Sequence, residues 1–217
     1  MTRPLPLAVF VSGQGTTLDA LAEVVQGGHL PARISIVLAD RPHAVGIERA
    51  RHRGLPTEVL PFRGLPEAEW VERADRLLHA RGVELVVLAG FLAILPTRFV
   101  ELWEGRIINL HPSLLPRYGG RGYYGSRVLE AIIDSGDQAT GVSVHLVTPA
   151  VDEGPVLEQR EFHIAEGETV ETLRERIRPY EIAALESVIR QFADGTLPLP
   201  YHPPARATPT GARRRPG

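Results

Sequence analysis

Leu7-Ala8-Val9-Phe10-Val11-Ser12-Gly13-Gln14-Gly15-Thr16-Thr17 decides the fold. An unbroken apolar run from Leu7 to Val11 suits a strand buried on both faces. The glycines that follow end it in a turn, and Leu18 to Val25 then alternates at helical spacing. Strand, glycine turn and helix form the opening unit of a parallel α/β sheet. Such a turn aims backbone N–H groups and a helix N-terminus at one spot, which suits an anion such as phosphate. The stretch lacks the third glycine of the dinucleotide fingerprint and the Gly-Lys-Thr of a P-loop. A plain glycine turn, with Thr16 or Thr17 capping the helix, accounts for the same residues.

Working outward, the alternation continues. Ile34–Leu38 reads as a second strand, followed by a helix near 45–53, a short strand at 57–61 and a helix over 67–81. Leu85-Val86-Val87-Leu88-Ala89 is the most apolar strand; a helix near 97–103 leads to a strand over Arg106–Leu110. Apolar strands that alternate with helices imply a parallel sheet covered on both faces. Beyond residue 111 the pattern changes. An irregular segment runs from His111 to about Gly125; Val142–Val147 alternates strictly, as a half-buried strand does; Pro155–His163 is a further strand antiparallel to its neighbour. Val170–Phe192 is helical, with Pro179 expected to kink or restart it. The expected class is α/β: a Rossmann-like, mostly parallel first half and a mixed, antiparallel second half. One domain spans 1–200.

The chain has 217 residues, 43% of them hydrophobic and 23% charged, enough to bury a sizeable core. All 24 cationic side chains are Arg, set against 26 acids, and there is no Cys. That excludes a disulfide scaffold, a thiol nucleophile, an iron–sulfur cluster and a cysteine zinc site. Residues 201–217 carry Arg206, Arg213, Arg214 and Arg215 and no acid, so +4, which leaves −6 of the total −2 on residues 1–200. The tail is rich in Pro, Gly, Ala and Thr and is expected to be disordered. The acidic remainder offers no basic stripe, which argues against nucleic acid as a partner. No apolar run reaches the roughly 18 residues of a membrane span. The N-terminal run lacks the length and cleavage site of a signal peptide, so the cytoplasm is the expected compartment.

Several constellations could carry chemistry. Asn109-Leu110-His111-Pro112-Ser113-Leu114-Leu115-Pro116 sits at the carboxyl end of a strand, where open parallel sheets place their ligands. Asn109 and His111 are two apart and point to one face of an extended chain, offering an amide and a titratable imidazole to one substrate atom. A capping Asn beside a core His is the plainer reading. Asp152-Glu153-Gly154-Pro155 is on its face only a turn; should it face His111, the carboxylate would orient the imidazole and hold it cationic. Leu88-Ala89-Gly90-Phe91-Leu92-Ala93-Ile94-Leu95-Pro96 is core, or the wall of a pocket for a flat apolar ligand. In the last helix Leu173, Ile177, Glu181, Leu185 and Ile189 share one stripe, so Glu181 needs a buried partner or a substrate amine.

Taken together, these segments resemble the glycinamide ribonucleotide formyltransferase family, folate-dependent enzymes of purine biosynthesis. The resemblance covers about residues 7–195 and rests on Ser12–Thr16, Leu88–Phe91, Ile108–Pro116, Gly141–His145 and Asp152–Pro155. It implies a formyltransferase fold, and Asn109, His111 and Asp152 as the catalytic triad. It implies a ribonucleotide-phosphate loop at Gly15, Thr16 and Thr17, with Asn109 and the segment Arg178–Glu181 also holding the ribonucleotide. The folate pocket would be lined by Leu92, Ala93, Ile94 and Leu95 and by the loop from Thr148 to Asp152. Arg63 is the candidate for the folate tail. The implied reaction moves a formyl group from 10-formyltetrahydrofolate to a glycyl amine through a tetrahedral oxyanion, stabilised by cationic His111 and the Asn109 amide, with no metal. The implied partners are these small molecules; a homodimer is left open. Thr17 stands where the family often has Asn, Ala93 where some members have Arg, and Tyr118–Gly125 is longer and richer in glycine than the commonest form. Another folate-dependent formyltransferase or hydrolase with the same triad, or a nucleotide-binding module without catalysis, are the alternatives.

Overall fold

In the computed structural model, residues 3–203 are described. The first half winds as β1 (Leu5–Val11), α1 (Thr16–Gln26), β2 (Ala32–Ala39), α2 (Val45–His52), β3 (Thr57–Val59), α3 (Glu67–Ala80), β4 (Leu85–Leu88), α4 (Thr97–Leu102) and β5 (Ile107–His111). The second half adds α5 (Ser126–Ser135), β6 (Ala139–Leu146), β7 (Val156–His163) and α6 (Val170–Asp194). The seven-stranded sheet has the order β3-β2-β1-β4-β5-β6-β7. β1 to β5 pair in parallel, while β5–β6 and β6–β7 pair antiparallel. The expected change from a parallel to a mixed sheet is present, and it falls after β5.

β1 shows why the apolar run reads as a doubly buried strand. Successive side chains point to opposite faces: Leu7, Val9 and Val11 join a core with Leu18 and Leu21 of α1, Ile47 of α2 and Leu185 of α6. Ala8 and Phe10 join a second core with Trp70 of α3 and Phe99 of α4. The two layers hold the sheet between them.

Three local expectations change. Residues 126–135 carried no assignment and form α5, whose Val128, Leu129 and Ile132 are buried. α6 neither restarts nor ends at Pro179; it is one helix with the proline inside it. The buried stripes on both sides of Pro179 pack against α1, α5 and β6, and that packing outweighs the hydrogen bond which proline removes. β6 is buried on both faces rather than half-buried, because its polar face is covered by the segment after β5. Ser143 Oγ accepts from Leu115 N (3.0 Å) and donates to Ser113 O (2.7 Å).

The tail boundary also moves. Tyr201 N donates to Gly105 O (3.0 Å), and its ring lies edge-on to Phe192. The expected disorder from 201 onward therefore does not hold at Tyr201; the tail beyond 203 lies outside the described residues.

Candidate active site

The sheet order reverses between β1 and β4, and the loops leaving these parallel strands open a crevice of the kind in which doubly wound sheets bind ligands. Two hydrogen bonds tie the loops together: Ser12 N donates to Gly90 O (3.1 Å), and Leu92 N to Ser12 Oγ (2.8 Å). The cleft has a volume of about 460 Å3. Thr16, Thr17, Arg174, Arg178 and Glu181 line it on the side of α1 and α6, and Leu92, Ala93, Ile94, Leu95 and Val147 form an apolar wall. Leu92 and Ile94, 41% and 56% exposed, present large apolar surface to the cleft. Asn109, His111, Thr148 and Asp152 also line it, as do Arg121, Tyr123 and Tyr124 of the glycine-rich loop.

α1 begins at Thr16, and its cap is Gly15, with φ 67 and no side-chain bond. Neither Thr16 nor Thr17 caps the helix, as the plainer sequence reading had it, so the first-turn N–H groups carry no side-chain acceptor. Gly15 itself does not line the cleft. A Cβ there would collide with the Gly46 backbone, so the glycine allows the loop to sit against α2.

Cross-strand register assembles the centre. Asn109 lies opposite His145, and His111 opposite Ser143. The β6–β7 turn brings in Asp152, which has φ 57, a left-handed conformation rare outside glycine. Asp152 Oδ2 is 3.7 Å from His111 Nδ1, and Oδ1 is 3.6 Å from His145 Nε2. Gly120 N donates to Asp152 Oδ2 (3.0 Å). His145, the last residue of the Gly141–His145 motif, is a further member of this centre. The signal that could have found it is the polar face of β6, shared by Ser143 and His145.

One expectation about charge is corrected. Burial, outweighing the attraction of Asp152, pulls His111 below its ordinary 6.5, so the imidazole is neutral rather than cationic at neutral pH. Burial also opposes ionisation of Asp152, but its contacts with His145, His111 and the Gly120 N–H together prevail and hold the carboxyl below its ordinary value. His145 Nδ1 lies 2.8 Å from Leu146 O, which can only accept, so Nδ1 carries a hydrogen. Asn109 Nδ2 lies 3.0 Å from His145 Nε2 and 3.4 Å from Asp152 Oδ1, which ties the Asn109 amide into the cluster.

Glu181 accepts from Thr17 Oγ1 (3.2 Å), linking α6 to the start of α1. Burial, only partly offset by Thr17 and Arg178, raises its carboxyl from 4.5 to about 7. It lies well inside α6 rather than near a helix start. Arg63 is exposed on the turn before α3 and does not line the cleft; its neighbour Phe62 packs instead on Trp70 and Phe91. Among the described residues, no group of three or more His, Cys, Asp or Glu side chains is gathered for a metal ion, and no helix is long and apolar enough to cross a membrane.

A doubly wound sheet with a cleft over an Asn–His–Asp cluster places the chain among α/β proteins with a ligand cleft at the switch point of the sheet. Residues 5–189 match the formyl transferase family, and the chain belongs to that family. It is 33% identical over 194 residues to the phosphoribosylglycinamide formyltransferase of Haemophilus influenzae, with 89% of each chain covered. It is 34% identical over 197 residues to the trifunctional purine biosynthetic protein adenosine-3 of Gallus gallus, where the match covers 90% of this chain and only 19% of that protein. The crystal structure of glycinamide ribonucleotide transformylase 1 from Symbiobacterium toebii superposes with a TM-score of 0.83 at 34% identity, covering 91% of both chains.

Proposed function

We propose that this chain transfers the formyl group of 10-formyltetrahydrofolate to the glycyl amine of glycinamide ribonucleotide, giving the formylated ribonucleotide and tetrahydrofolate. The observation that carries this reading is the two-sided cleft over Asn109, His111 and Asp152, in a chain 33% identical to the phosphoribosylglycinamide formyltransferase of Haemophilus influenzae. The α1 and α6 side, with open N–H groups at Thr16 and Thr17 and cations at Arg174 and Arg178, suits a phosphate. Glu181 there is an acceptor for ribonucleotide donors. The apolar wall from Leu92 to Leu95 suits a flat heterocycle, and Thr148 edges the same pocket.

The chemistry follows from the protonation states. The amine nitrogen bonds to the formyl carbon, and the C=O electron pair moves onto oxygen. The Asn109 amide, held beside His145 and Asp152, hydrogen-bonds to the reacting groups and orients them. Neutral His111 takes the proton that the amine sheds, and Asp152 stabilises the imidazolium that results. A positive charge thus appears in the site as the negative oxyanion forms. His111 returns the proton to the folate nitrogen as the old C–N bond breaks. Holding both reactants in one cleft contributes on the order of 7 kcal/mol.

Incubating purified protein with both substrates and following formylated ribonucleotide tests the reading. His111→Ala and Asp152→Ala are each expected to lower kcat at least ~100-fold while changing folate affinity little. Release of formate to water with no formylated ribonucleotide would overturn the assignment of the acceptor. Near-normal kcat in either variant would overturn the mechanism.

A further inference from the structure

The geometry points to Tyr118 as a positioning residue that acts through its backbone: its carbonyl oxygen fixes the His111 hydrogen on Nε2, and its hydroxyl, anchored on Asp137, holds that carbonyl in place. The inference rests on the reaction proposed above. His111 Nε2 lies 2.7 Å from Tyr118 O. A carbonyl has no hydrogen to give, so Nε2 must carry one. The nitrogen left to gain and lose a proton is Nδ1, the one that faces Asp152. Without this contact the neutral ring could carry its hydrogen on Nδ1 and would have no lone pair there for the amine proton.

The carbonyl is aimed by an unusual backbone. Among the described residues, only Tyr118 (φ 55) and Asp152 (φ 57) are non-glycine residues with positive φ. They are the two partners of His111. Such conformations persist only where the surroundings enforce them. Around Tyr118 the enforcement lies on the outer rim. Tyr118 Oη donates to Asp137 Oδ2 (2.6 Å), Arg117 pairs with the same carboxylate at 2.8 Å, and the Tyr118 ring meets Tyr123 edge-on. Ser113 Oγ donates to Arg117 O (2.6 Å), fastening the residue before. Asp137 follows α5 and does not line the cleft, and the polar contacts of His111 are with Tyr118 O and Asp152.

Histidine labelled with 15N, in the full-length protein without substrates, tests the idea by long-range proton–nitrogen correlation NMR. Wild type is expected to show the Nε2–H tautomer at His111. Tyr118→Phe keeps the ring and removes the anchor; Asp137→Asn alters the anchor from the surface and serves if the first variant folds poorly. Each is expected to populate the Nδ1–H tautomer and to lower kcat about tenfold, with both KM values within about twofold. The acid limb of the rate profile is expected to move as well. The titratable groups facing His111 are Asp152 and His145, and both variants leave them in place. An Nδ1–H tautomer in wild type, or variants with unchanged tautomer and rate profile, would overturn the inference. A protein that loses the Nε2–H tautomer in Tyr118→Phe yet transfers no formyl group would sink the transfer reading and support this one.

Discussion

Glu181 shows how a single buried carboxyl makes stability depend on pH. Below 4.5 it is protonated whether the chain is folded or not. As pH rises, the unfolded chain ionises near 4.5 and the folded one only near 7. Stability therefore falls across that window and stays lower above it, by roughly 3 kcal/mol. Glu181→Gln keeps the shape without the charge, so it is expected to raise Tm at pH 8 and to flatten the stability profile between 4.5 and 7. Its KM for the ribonucleotide is expected to rise at least ~10-fold. Thermal melts across pH and steady-state kinetics on one purified variant check both; a lowered Tm with unchanged KM would make Glu181 a structural residue only. The position of Glu181 was legible from the apolar stripe it interrupts. That Asn109 and His111 share a face was legible from their i, i+2 spacing, and both line the cleft; their role was not, and came from the family resemblance. Protonation was not, because the burial that neutralises His111 comes from loops distant in sequence. Tyr118 was invisible for another reason: it acts through a carbonyl, which every residue has.

Elements show the same division. β1, β2 and β4 are apolar on both faces and declared themselves. β6 misled because strict alternation normally means one wet face; here Ser143 and His145 face a loop that makes the polar side a second interior. α5 was missed although Val128, Leu129 and Ile132 have helical spacing, because the glycine-rich segment before it masked the start. Pro179 is expected from the sequence to kink or restart the helix, and α6 runs through it without restarting. The proline still withholds one backbone hydrogen bond from the helix. Pro179→Ala is expected to raise stability by about 2 kcal/mol, net of the added freedom of the unfolded chain, as read by denaturant unfolding. A loss instead would show that α6 needs the distortion to pack on both α1 and α5.

For the molecule as a whole, the fold reaches Tyr201, further than composition suggested. Gly105, at φ 69, lies so close to the Tyr201 backbone that a Cβ would collide with it. A chain ended after Pro203 is expected to melt like the full-length protein. One ended after Pro200 loses the Tyr201 contacts and is expected to be about 1–2 kcal/mol less stable, with kcat unchanged. Equal melting of the two truncated chains would show the Tyr201 contacts to be of no consequence. Composition failed at this boundary because a single aromatic residue and a backbone bond are too small a signal to stand out beside prolines and arginines.

Two hydrogen bonds join the Ser12 turn to the Gly90–Leu92 loop, so the two sides of the cleft are tied together. On the proposed reading each side takes one ligand, and ordering of this junction by one ligand is expected to favour the other. Thermodynamic linkage requires the effect to be reciprocal: whatever factor folate adds to ribonucleotide affinity, the ribonucleotide adds to folate affinity. Calorimetric titration of each ligand, alone and with the other saturating, is expected to give the same ratio both ways, about fivefold or more. Ser12→Ala leaves the Leu92 N–H without its acceptor, and in that variant the ratio is expected to fall toward one, uncoupling two sites that would each still bind.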